Sequence, residues 1–420
     1  MHLAIHRARL LDNLSALGQI GRVAPEAGGG LDRRPFSPAE RQARAFFIDQ
    51  ATVAGLTVLT DGAANLSARY ACADPGAPTL LLGSHLDTVP HGGPYDGALG
   101  VMAALEVVRV AKEQALALPW HLEAIAFTDE EGRLGDFFGS RAVAGAHTPE
   151  SIAQFLAAAG AYPDDLAAMR PLAPGGLTPD GIRTARRAPE TLAGFLELHI
   201  EQGPRLEHAG LPIGVVTAIA GRRAQRIVIR GRSDHAGTTP MDLRADALLA
   251  AARIAMTARD RVARDFPEAV LTCGNMRVQP GVYNVVPNEA ELWVEFRSGS
   301  PADLAAISAL LREEIEAATA APDLAFEVDE AAGHEPVALD ATLQAAIRRA
   351  ADACGYDWMD LPSGALHDAL LLAQVTPTAM IFVPSVAGRS HSPLEMTHPG
   401  DLVAGANVLL GTVVALAKSA

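Results

Sequence analysis

The 420-residue chain is too long for one compact hydrophobic core, so we expect two domains. Its formal net charge of −15 repels phosphate backbones and anionic lipid, which excludes nucleic acid and membranes as expected partners. Its three cysteines have no paired spacing, which excludes a thiolate zinc site and a disulfide framework. Together with a first segment that lacks the apolar core of a signal peptide, this cysteine usage favours the reducing cytoplasm.

Apolar runs that alternate with helical patterns predict an α/β main domain over residues 1–211 and 331–420. We expect its central sheet to be mostly parallel and flanked by helices. The predicted strands are residues 79–82, 121–127, 194–198 and 378–383. The predicted helices are residues 99–117, 341–353 and 402–417, of which the last is a packed terminal helix rather than a membrane span. Residues 157–187, rich in Ala, Pro and Gly, predict irregular surface chain with at most short helices.

Residues 212–330 have a different order of elements, which predicts an inserted domain. Two strands and a helix are predicted at residues 214–219, 224–230 and 243–264. Two further strands, a helix and a last strand are predicted at residues 269–278, 289–296, 301–319 and 325–328. This order is typical of a small α+β domain of the ferredoxin-like type. Glycines near positions 210 and 333 are the expected hinges, which would let the insert act as a lid.

The densest chemistry follows the first predicted strand of the main domain. His85 comes directly after an apolar run, and Asp96 precedes a helix in a glycine-rich turn. Ligands of open α/β sheets bind at the carboxyl ends of strands, and imidazole with carboxylate suits zinc, manganese or cobalt. Asp87 either orients the His85 imidazole or caps a turn, and its position leaves both interpretations open.

Three further strand ends carry histidine or carboxylate. Glu130 and Glu131 follow the strand at 121–127. Because adjacent carboxylates repel each other, one as metal ligand and the other as proton carrier gives the pair a physical reason, whereas a solvated acidic loop is the alternative. His199 follows the strand at 194–198, and His391 lies beyond the strand at 378–383. A single histidine is more often structural, but four such strand ends predict one metal centre.

Four further motifs extend this pattern over nearly the whole chain: residues 28–33 (GGGLDR), 199–204 (HIEQGP), 234–241 (DHAGTTPM) and 284–287 (NVVP). With these motifs the sequence resembles the amidase/hydantoinase/carbamoylase branch of the dinuclear metallopeptidase superfamily. That branch contains N-carbamoyl-L-amino acid hydrolases, β-ureidopropionases and allantoate amidohydrolases. The resemblance is specific for the branch and only weakly specific for the substrate.

The resemblance implies two divalent metal ions per subunit, with zinc, manganese and cobalt as the candidates. The implied ligands are His85, Asp96, Glu131, His199 and His391. Asp96 would bridge the two ions, with His85 and His199 on one side and Glu131 and His391 on the other. Glu130 would be the general base, and His235 and Asp87 are the other implied catalytic residues.

The resemblance also implies a set of substrate contacts. They are Gln202, His235, Asn284, Arg297, Gly364 and His367. Asn284 and Arg297 would clamp the α-carboxylate of the substrate, for which a planar guanidinium is well suited. Without the resemblance, Arg297 would be interpreted as a surface arginine beside a turn. Leu366 stands where the family has glycine, so we expect the pocket to be reshaped there.

The expected reaction is hydrolysis of the carbamoyl C–N bond of a small anionic ureido acid to an amino acid, ammonia and carbon dioxide. The resemblance adds a homodimer joined through residues 212–330, in which His235 completes the partner's site. Alternative substrates are allantoate, an N-acyl amino acid or a dipeptide. A non-catalytic metal-binding protein is disfavoured because it needs no base such as Glu130. A nicotinamide enzyme is disfavoured because no GxGxxG follows an early strand.

Overall fold

The computed structural model describes residues 3–419, which form two compact units. The larger unit comprises residues 3–217, 339–361 and 365–419. The smaller unit comprises Ala218–Ala338 together with Pro362–Gly364. The boundaries of the smaller unit at Ala218 and Ala338 therefore lie several residues after positions 212 and 330, which the sequence pattern predicts as the borders of the insert.

Strands and helices alternate along most of the chain. The strands are β1 (Thr57–Thr60), β2 (Leu66–Tyr70), β3 (Thr79–His85), β4 (His121–Phe127), β5 (Leu192–Ile200), β6 (Ile213–Ile219), β7 (Gly221–Arg230), β8 (Val270–Gln279), β9 (Glu289–Ser298), β10 (Ala325–His334), β11 (Val337–Ala338), β12 (Trp358–Ser363) and β13 (Thr378–Val383). The α-helices are α1 (Arg7–Leu17), α2 (Pro38–Val53), α3 (Ala98–Glu113), α4 (Phe138–Ala144), α5 (Pro149–Gly160), α6 (Pro163–Met169), α7 (Pro179–Thr184), α8 (Arg205–Ala209), α9 (Ala247–Asp265), α10 (Pro301–Ala318), α11 (Ala341–Cys354), α12 (Asp368–Leu372) and α13 (Pro399–Ala417).

A mixed sheet forms the centre of the larger unit, with hydrogen-bonded strands in the order β1–β2–β4–β3–β5–β13–β6. The four central strands β4, β3, β5 and β13 are parallel. Strands β1, β2 and β6 are antiparallel to their neighbours. The predicted α/β class is confirmed, but the prediction of a mostly parallel sheet holds only for these central strands. Fully buried parallel strands such as β3 and β4 are continuous apolar runs and are easily found in a sequence. The half-exposed strand β1 is not such a run, so the sequence pattern predicts the parallel strands and misses this antiparallel one.

The parallel strands end together at one edge of the sheet. In the register of β3 and β4, His85 lies opposite Phe127, and in that of β5 and β13, Ile200 lies opposite Val383. Helix α3 covers the sheet with a nearly continuous buried surface from Ala98 to Ala111. The loops that leave β3, β4, β5 and β13 are therefore held at one rim by a packed core.

The terminal helix α13 is long and apolar enough, by length and composition, to cross a membrane. In the structure, however, Leu402, Val408 and Leu409 are buried in the main hydrophobic core, and the helix packs against α11 and α3. The prediction of a packed terminal helix is confirmed.

The segment from α5 to α7 agrees with its prediction only in part. It forms three short helices that bury Phe155, Met169 and Ile182 in a cluster of their own. The expected short helices are present and most of residues 157–187 are exposed, but their buried side chains make the segment a packed part of the unit rather than wholly irregular chain. The many alanines and prolines dilute the apolar periodicity, so that few large side chains mark the buried face.

The smaller unit follows the order β7–α9–β8–β9–α10–β10, and its antiparallel sheet has the strand order β10–β7–β9–β8. Ile227, Ile254 and Leu311 are buried between the sheet and its two helices. Strand β6, which the sequence analysis assigned to the insert, pairs instead with β13 of the larger sheet. The expected hinge at Gly333 lies inside β10, which continues to His334.

Candidate metal centre

The turn between β3 and α3 brings Asp96 close to His85. Gly97 follows Asp96 with a left-handed backbone (φ +64°), and a Cβ atom at this position would overlap the His85 ring. Glycine is therefore needed here both for the backbone conformation and for the close approach of the imidazole. The glycine-rich turn therefore leaves the space in which the His85 ring packs against the backbone next to Asp96.

The carboxylate of Asp96 lies between two sets of donor groups. Its Oδ1 atom is 3.6 Å from Nε2 of His85 and 3.2 Å from Nε2 of His199. Its Oδ2 atom is 3.2 Å from Nε2 of His391, and that nitrogen is 3.6 Å from Oε2 of Glu131. The five predicted ligands thus come together as two triads that share Asp96, and each triad is compact enough to hold a metal ion.

Backbone carbonyl groups set the tautomers of two histidines. Nδ1 of His85 lies 3.0 Å from the carbonyl oxygen of Asp87, and Nδ1 of His199 lies 2.9 Å from that of Ile200. With the proton on Nδ1 donated to a carbonyl, Nε2 is the ring atom that faces Asp96, and it donates to the carboxylate when the ring is charged. The neutral ring that keeps its proton on Nδ1 is the tautomer that binds a metal through Nε2.

Asp87 acts on the next loop rather than on the imidazole. Its Oδ1 atom is 3.8 Å from Nδ1 of His85, too far for a hydrogen bond. Its two carboxylate oxygens instead accept hydrogen bonds from the backbone N–H groups of Glu130 and Glu131, at 3.3 and 3.2 Å. The interpretation that the Asp87 side chain orients His85 is therefore corrected: its backbone carbonyl does so, and its side chain holds the Glu130–Glu131 turn.

The raised pKa values of two buried carboxyl groups indicate that the protein alone supplies too little positive charge at the centre. Burial, and then the charge of Asp96, raises the pKa of Glu131 to about 7. Burial also raises the pKa of Glu130 well above its ordinary value. Burial acts to raise the pKa of Asp96 too, but hydrogen bonds from His199 and His391 outweigh it and hold the value well below the usual range.

One unsatisfied atom agrees with this charge imbalance. Oε1 of Glu131 is buried without a hydrogen-bond partner among residues 3–419, although buried polar atoms are nearly always paired. Divalent cations would supply both the missing charge and the missing partner. The residues present therefore fit a metal centre with nitrogen and oxygen ligands.

Two predicted substrate contacts, Gln202 and His367, also lie at the centre. Nε2 of Gln202 donates a 2.8 Å hydrogen bond to Oδ2 of Asp96, and the backbone of Gln202 is left-handed (φ +58°), a strained conformation that is common at functional sites. The buried ring of His367 packs edge-on against that of His199, with 4.6 Å between the ring centroids. Burial, and then His199, holds the pKa of His367 well below its usual value, so this ring is neutral.

The other predicted substrate residues lie in the smaller unit, in two separate groups. His235 pairs with Val285 in an isolated bridge beside Asn284, and both His235 and Asn284 are exposed. At the far end of β9, Nη1 of Arg297 donates a 2.9 Å hydrogen bond to the carbonyl oxygen of Gly364.

These two groups are too far apart to act together within one chain. Residues 289 to 297 of β9 are extended, and 297 − 289 = 8 steps of about 3.3 Å correspond to roughly 26 Å. Asn284 precedes the start of this strand, whereas Arg297 lies next to its end. The predicted clamp of Asn284 with Arg297 is therefore not formed by one smaller unit.

Two buried side chains near the centre were not singled out by the sequence analysis. Nε of Arg33 donates a 2.7 Å hydrogen bond to the carbonyl oxygen of Leu86, next to His85. Glu395 accepts hydrogen bonds from the backbone at Asp96. Arg33 ends the GGGLDR motif and Glu395 lies four residues after His391, so closeness to a motif was the signal that could have found them.

Comparison with known proteins extends the resemblance to the whole chain. Residues 81–415 match the model of Peptidase family M20/M25/M40. An N-carbamoyl-L-amino acid amidohydrolase of Geobacillus stearothermophilus is 38% identical, with 99% of each chain covered. The allantoate amidohydrolase of Escherichia coli is 33% identical over 91% of this chain and 92% of its own. The solved structure of an amidase of the hydantoinase/carbamoylase family from Burkholderia multivorans is 33% identical, with a TM-score of 0.86 over 99% of this chain and 98% of that one.

The fold, the paired triads and these relatives together define a metal-dependent hydrolase that acts on C–N bonds. More particularly, the chain belongs to peptidase family M20/M25/M40, and the similar proteins named above are its amidohydrolases. The family predicted from the sequence is confirmed.

Proposed function

We propose that this enzyme hydrolyses the carbamoyl C–N bond of an N-carbamoyl-L-amino acid and releases the amino acid, ammonia and carbon dioxide. The observation that carries the proposal is the position of Asp96, with one oxygen facing each donor set and Glu130 beside them. The substrate class is supported by the relative from Geobacillus stearothermophilus, which matches this chain from end to end.

We propose that two divalent ions, of zinc, manganese or cobalt, are held at this centre. His85 and His199 would hold one ion, Glu131 and His391 the other, and Asp96 would bridge them. Their imidazole and carboxylate donors suit all three metals. When bound, such cations lower the pKa of water and stabilise negative charge on the reacting carbonyl oxygen.

The proposed role of Glu130 is that of the proton carrier. Its Oε2 atom lies 3.5 Å from Nε2 of His85, and the side chain is buried at the centre. Glu130 takes a proton from water as the water oxygen bonds to the carbamoyl carbon. It then returns a proton to the amino acid nitrogen as the C–N bond breaks. The carbamic acid released decomposes to ammonia and carbon dioxide, so that one water molecule is consumed.

We propose that the enzyme works as a homodimer and that the smaller unit serves as both lid and dimer interface. The distance along β9 supports this proposal: a small substrate does not span roughly 26 Å. Asn284 and Arg297 therefore meet the same substrate only if they come from different chains. In this arrangement His235, which lies beside Asn284, would also act on the partner's substrate.

The edge strand β8 supports the proposed interface. It ends the four-stranded sheet, and nearly all of its residues are exposed, including Val270 and Met276. On α9, Leu249 and Met256 are exposed seven residues apart and so lie on one face of the helix. An unpaired strand edge with apolar neighbours is a ready surface for pairing with a second copy.

A cytoplasmic location is also proposed. Cys72, Cys273 and Cys354 are all free, as expected in a reducing compartment. A fluorescent fusion that fractionated with an oxidising compartment would contradict this location.

A second candidate substrate is allantoate, which is favoured by the relative from Escherichia coli. Allantoate is also a small ureido acid with a carboxylate, so the same centre would cleave it. The side chain of Leu366, next to His367, is half-exposed and stands where the family has glycine. We therefore expect this position to affect the choice between the two substrates.

The test is ammonia release from N-carbamoyl-L-amino acids, β-ureidopropionate and allantoate, and amino acid release from N-acetyl amino acids, after loading with each metal. We expect the highest kcat/KM for N-carbamoyl-L-amino acids. A preference for allantoate would support the second candidate. Cleavage of N-acetyl amino acids alone would contradict both.

A further inference from the structure

We propose that Glu395 is a positioning residue of the metal centre, which holds Asp96 in the orientation that faces both donor sets. The inference rests on the proposed role of Asp96 as a bridge. Glu395 follows Asp96 by 299 residues in the chain, and only 5% of its surface is exposed. A buried carboxylate is costly unless its hydrogen bonds are satisfied, so its contacts indicate why it is there.

One oxygen of Glu395 holds the backbone that carries Asp96. Oε1 accepts hydrogen bonds from the N–H groups of Tyr95 and Asp96, at 2.8 and 3.1 Å. These two residues lie between β3 and α3, where the chain turns sharply through Gly97. A single acceptor for two successive N–H groups fixes the direction in which the Asp96 side chain leaves the backbone.

The other oxygen of Glu395 acts on the Asp96 side chain through Ser390. The distance from Oγ of Ser390 to Oε2 of Glu395 is 2.9 Å, and that to Oδ2 of Asp96 is 2.7 Å. Ser390 also directly precedes His391, which faces the same Oδ2 atom. Glu395 therefore acts on the backbone and the side chain of one proposed ligand and lies next to the segment that carries another.

The space for this carboxylate depends on Gly93. A Cβ atom at Gly93 would overlap the carboxyl group of Glu395. Gly93→Ala would therefore displace the group without removing it. This provides a second variant that disturbs the same contacts by a different route.

Gln is the informative substitution at position 395. Its amide oxygen accepts the same two N–H groups, and its amide nitrogen donates to Ser390, whose hydroxyl then donates to Asp96. Ala has neither group. If Glu395 acts by hydrogen bonding, E395Q should retain metal affinity close to wild type, whereas E395A should lose it.

The experiment measures the affinity for zinc and manganese by chelator competition in the full chain. For E395A and G93A we expect a loss of about 10–100-fold, the usual effect of removing the partner of a metal ligand. Amide hydrogen exchange of the peptide that contains Tyr95 and Asp96, measured without metal, should rise in E395A and stay low in E395Q.

Asp340→Ala is the control variant. The carboxylate of Asp340 also accepts a backbone N–H group, that of Leu343 at 2.8 Å, but it lies at the start of α11, and its own N–H donates to Thr378 at the end of β13 that is remote from His391. Its loss should lower the melting temperature without weakening metal binding.

Three results would overturn the inference: unchanged exchange at residues 95–96 in E395A, unchanged metal affinity in E395A, or equal losses in E395A and E395Q. Failure of the proposed function would give a different experimental result. In that case the wild-type chain itself would not bind two ions, while the exchange measurement would still decide whether Glu395 holds Asp96.

Discussion

At the residue scale, Glu130 and Asp96 lie close together but differ in their proposed roles. Glu130→Gln removes a proton acceptor while keeping the size of the side chain. We expect the metal content to stay at that of the wild type and kcat to fall by about 10²-fold or more, as for loss of a general base. Metal analysis and steady-state ammonia release on the same preparation would check this.

Asp96→Ala is the counterpart of that substitution. Because one carboxylate faces both donor sets, we expect its loss to remove the metal together with the activity. If this variant still held two ions per chain, Asp96 would not be the bridge. Near-normal turnover in Glu130→Gln would likewise show that another group carries the proton.

Arg297 is the residue to test for carboxylate recognition. Its guanidinium is already oriented by Nε, which donates a 2.8 Å hydrogen bond to Glu295, and by Nη1, which donates to the carbonyl of Gly364. Arg297→Lys keeps the charge but loses this planar geometry. We expect KM for N-carbamoyl amino acids to rise by a factor equivalent to about 1–3 kcal/mol.

The control for that measurement is Arg230→Lys, an exposed arginine of β7 that pairs with Glu289 and Glu327. Its exchange for lysine should leave KM unchanged. Equal values of KM for the wild type and Arg297→Lys on every ureido acid would exclude the guanidinium from carboxylate binding.

At the scale of elements, helix α13 tests how tightly the core supports the site. A Cβ atom on Gly405 would lie 2.6 Å from Cγ1 of Val383 in β13 and 2.7 Å from Cδ1 of Leu198 in β5. Leu198 directly precedes His199, and β13 leads into the loop that carries His391. We expect Gly405→Ala to destabilise the fold by about 1–3 kcal/mol, since the core has no room for the methyl group.

Gly400 on the same helix is the matched position, because its Cβ would meet nothing within 4 Å. Gly400→Ala should therefore not lower stability. Chemical denaturation of both variants would check the pair. Equal stability of the two alanine variants would mean that α13 is packed less closely against β5 and β13 than the structure indicates.

At the scale of the whole molecule, mixing two inactive variants tests the proposed dimer. Glu130→Gln and His235→Ala chains should each be nearly inactive alone. If His235 of the partner subunit completes each site, one site of a mixed dimer carries both lesions and the other carries neither. Random exchange of subunits should then restore roughly a quarter of the wild-type activity.

Subunit exchange itself needs an independent check, for which differently tagged chains and co-purification are suitable. With exchange established, a mixture that stays inactive would show that His235 serves its own chain or has no catalytic part. A chain that elutes as a monomer while retaining full activity would contradict the dimer altogether.

Local sequence determined the central strands and the metal centre. The runs at 121–127 and 378–383 are the strands β4 and β13 without any change of bounds. His85, Glu131 and His199 were predicted to meet because the carboxyl ends of parallel strands share one edge of a sheet, and the structure brings them together. Apolar periodicity and strand-end chemistry are local properties, so a sequence reveals them directly.

Only the tertiary structure decided the pairings between distant segments. Strand β6 joins the larger sheet, Asp87 holds the Glu130–Glu131 turn, and Glu395 reaches Asp96 across the chain. The length of β9 likewise separates Asn284, which precedes this strand, from Arg297, which lies next to its end. Each of these pairings, contacts and separations depends on which elements pack together. Burial and hydrogen bonding between segments far apart in the chain select that packing, and no periodicity within a segment encodes it.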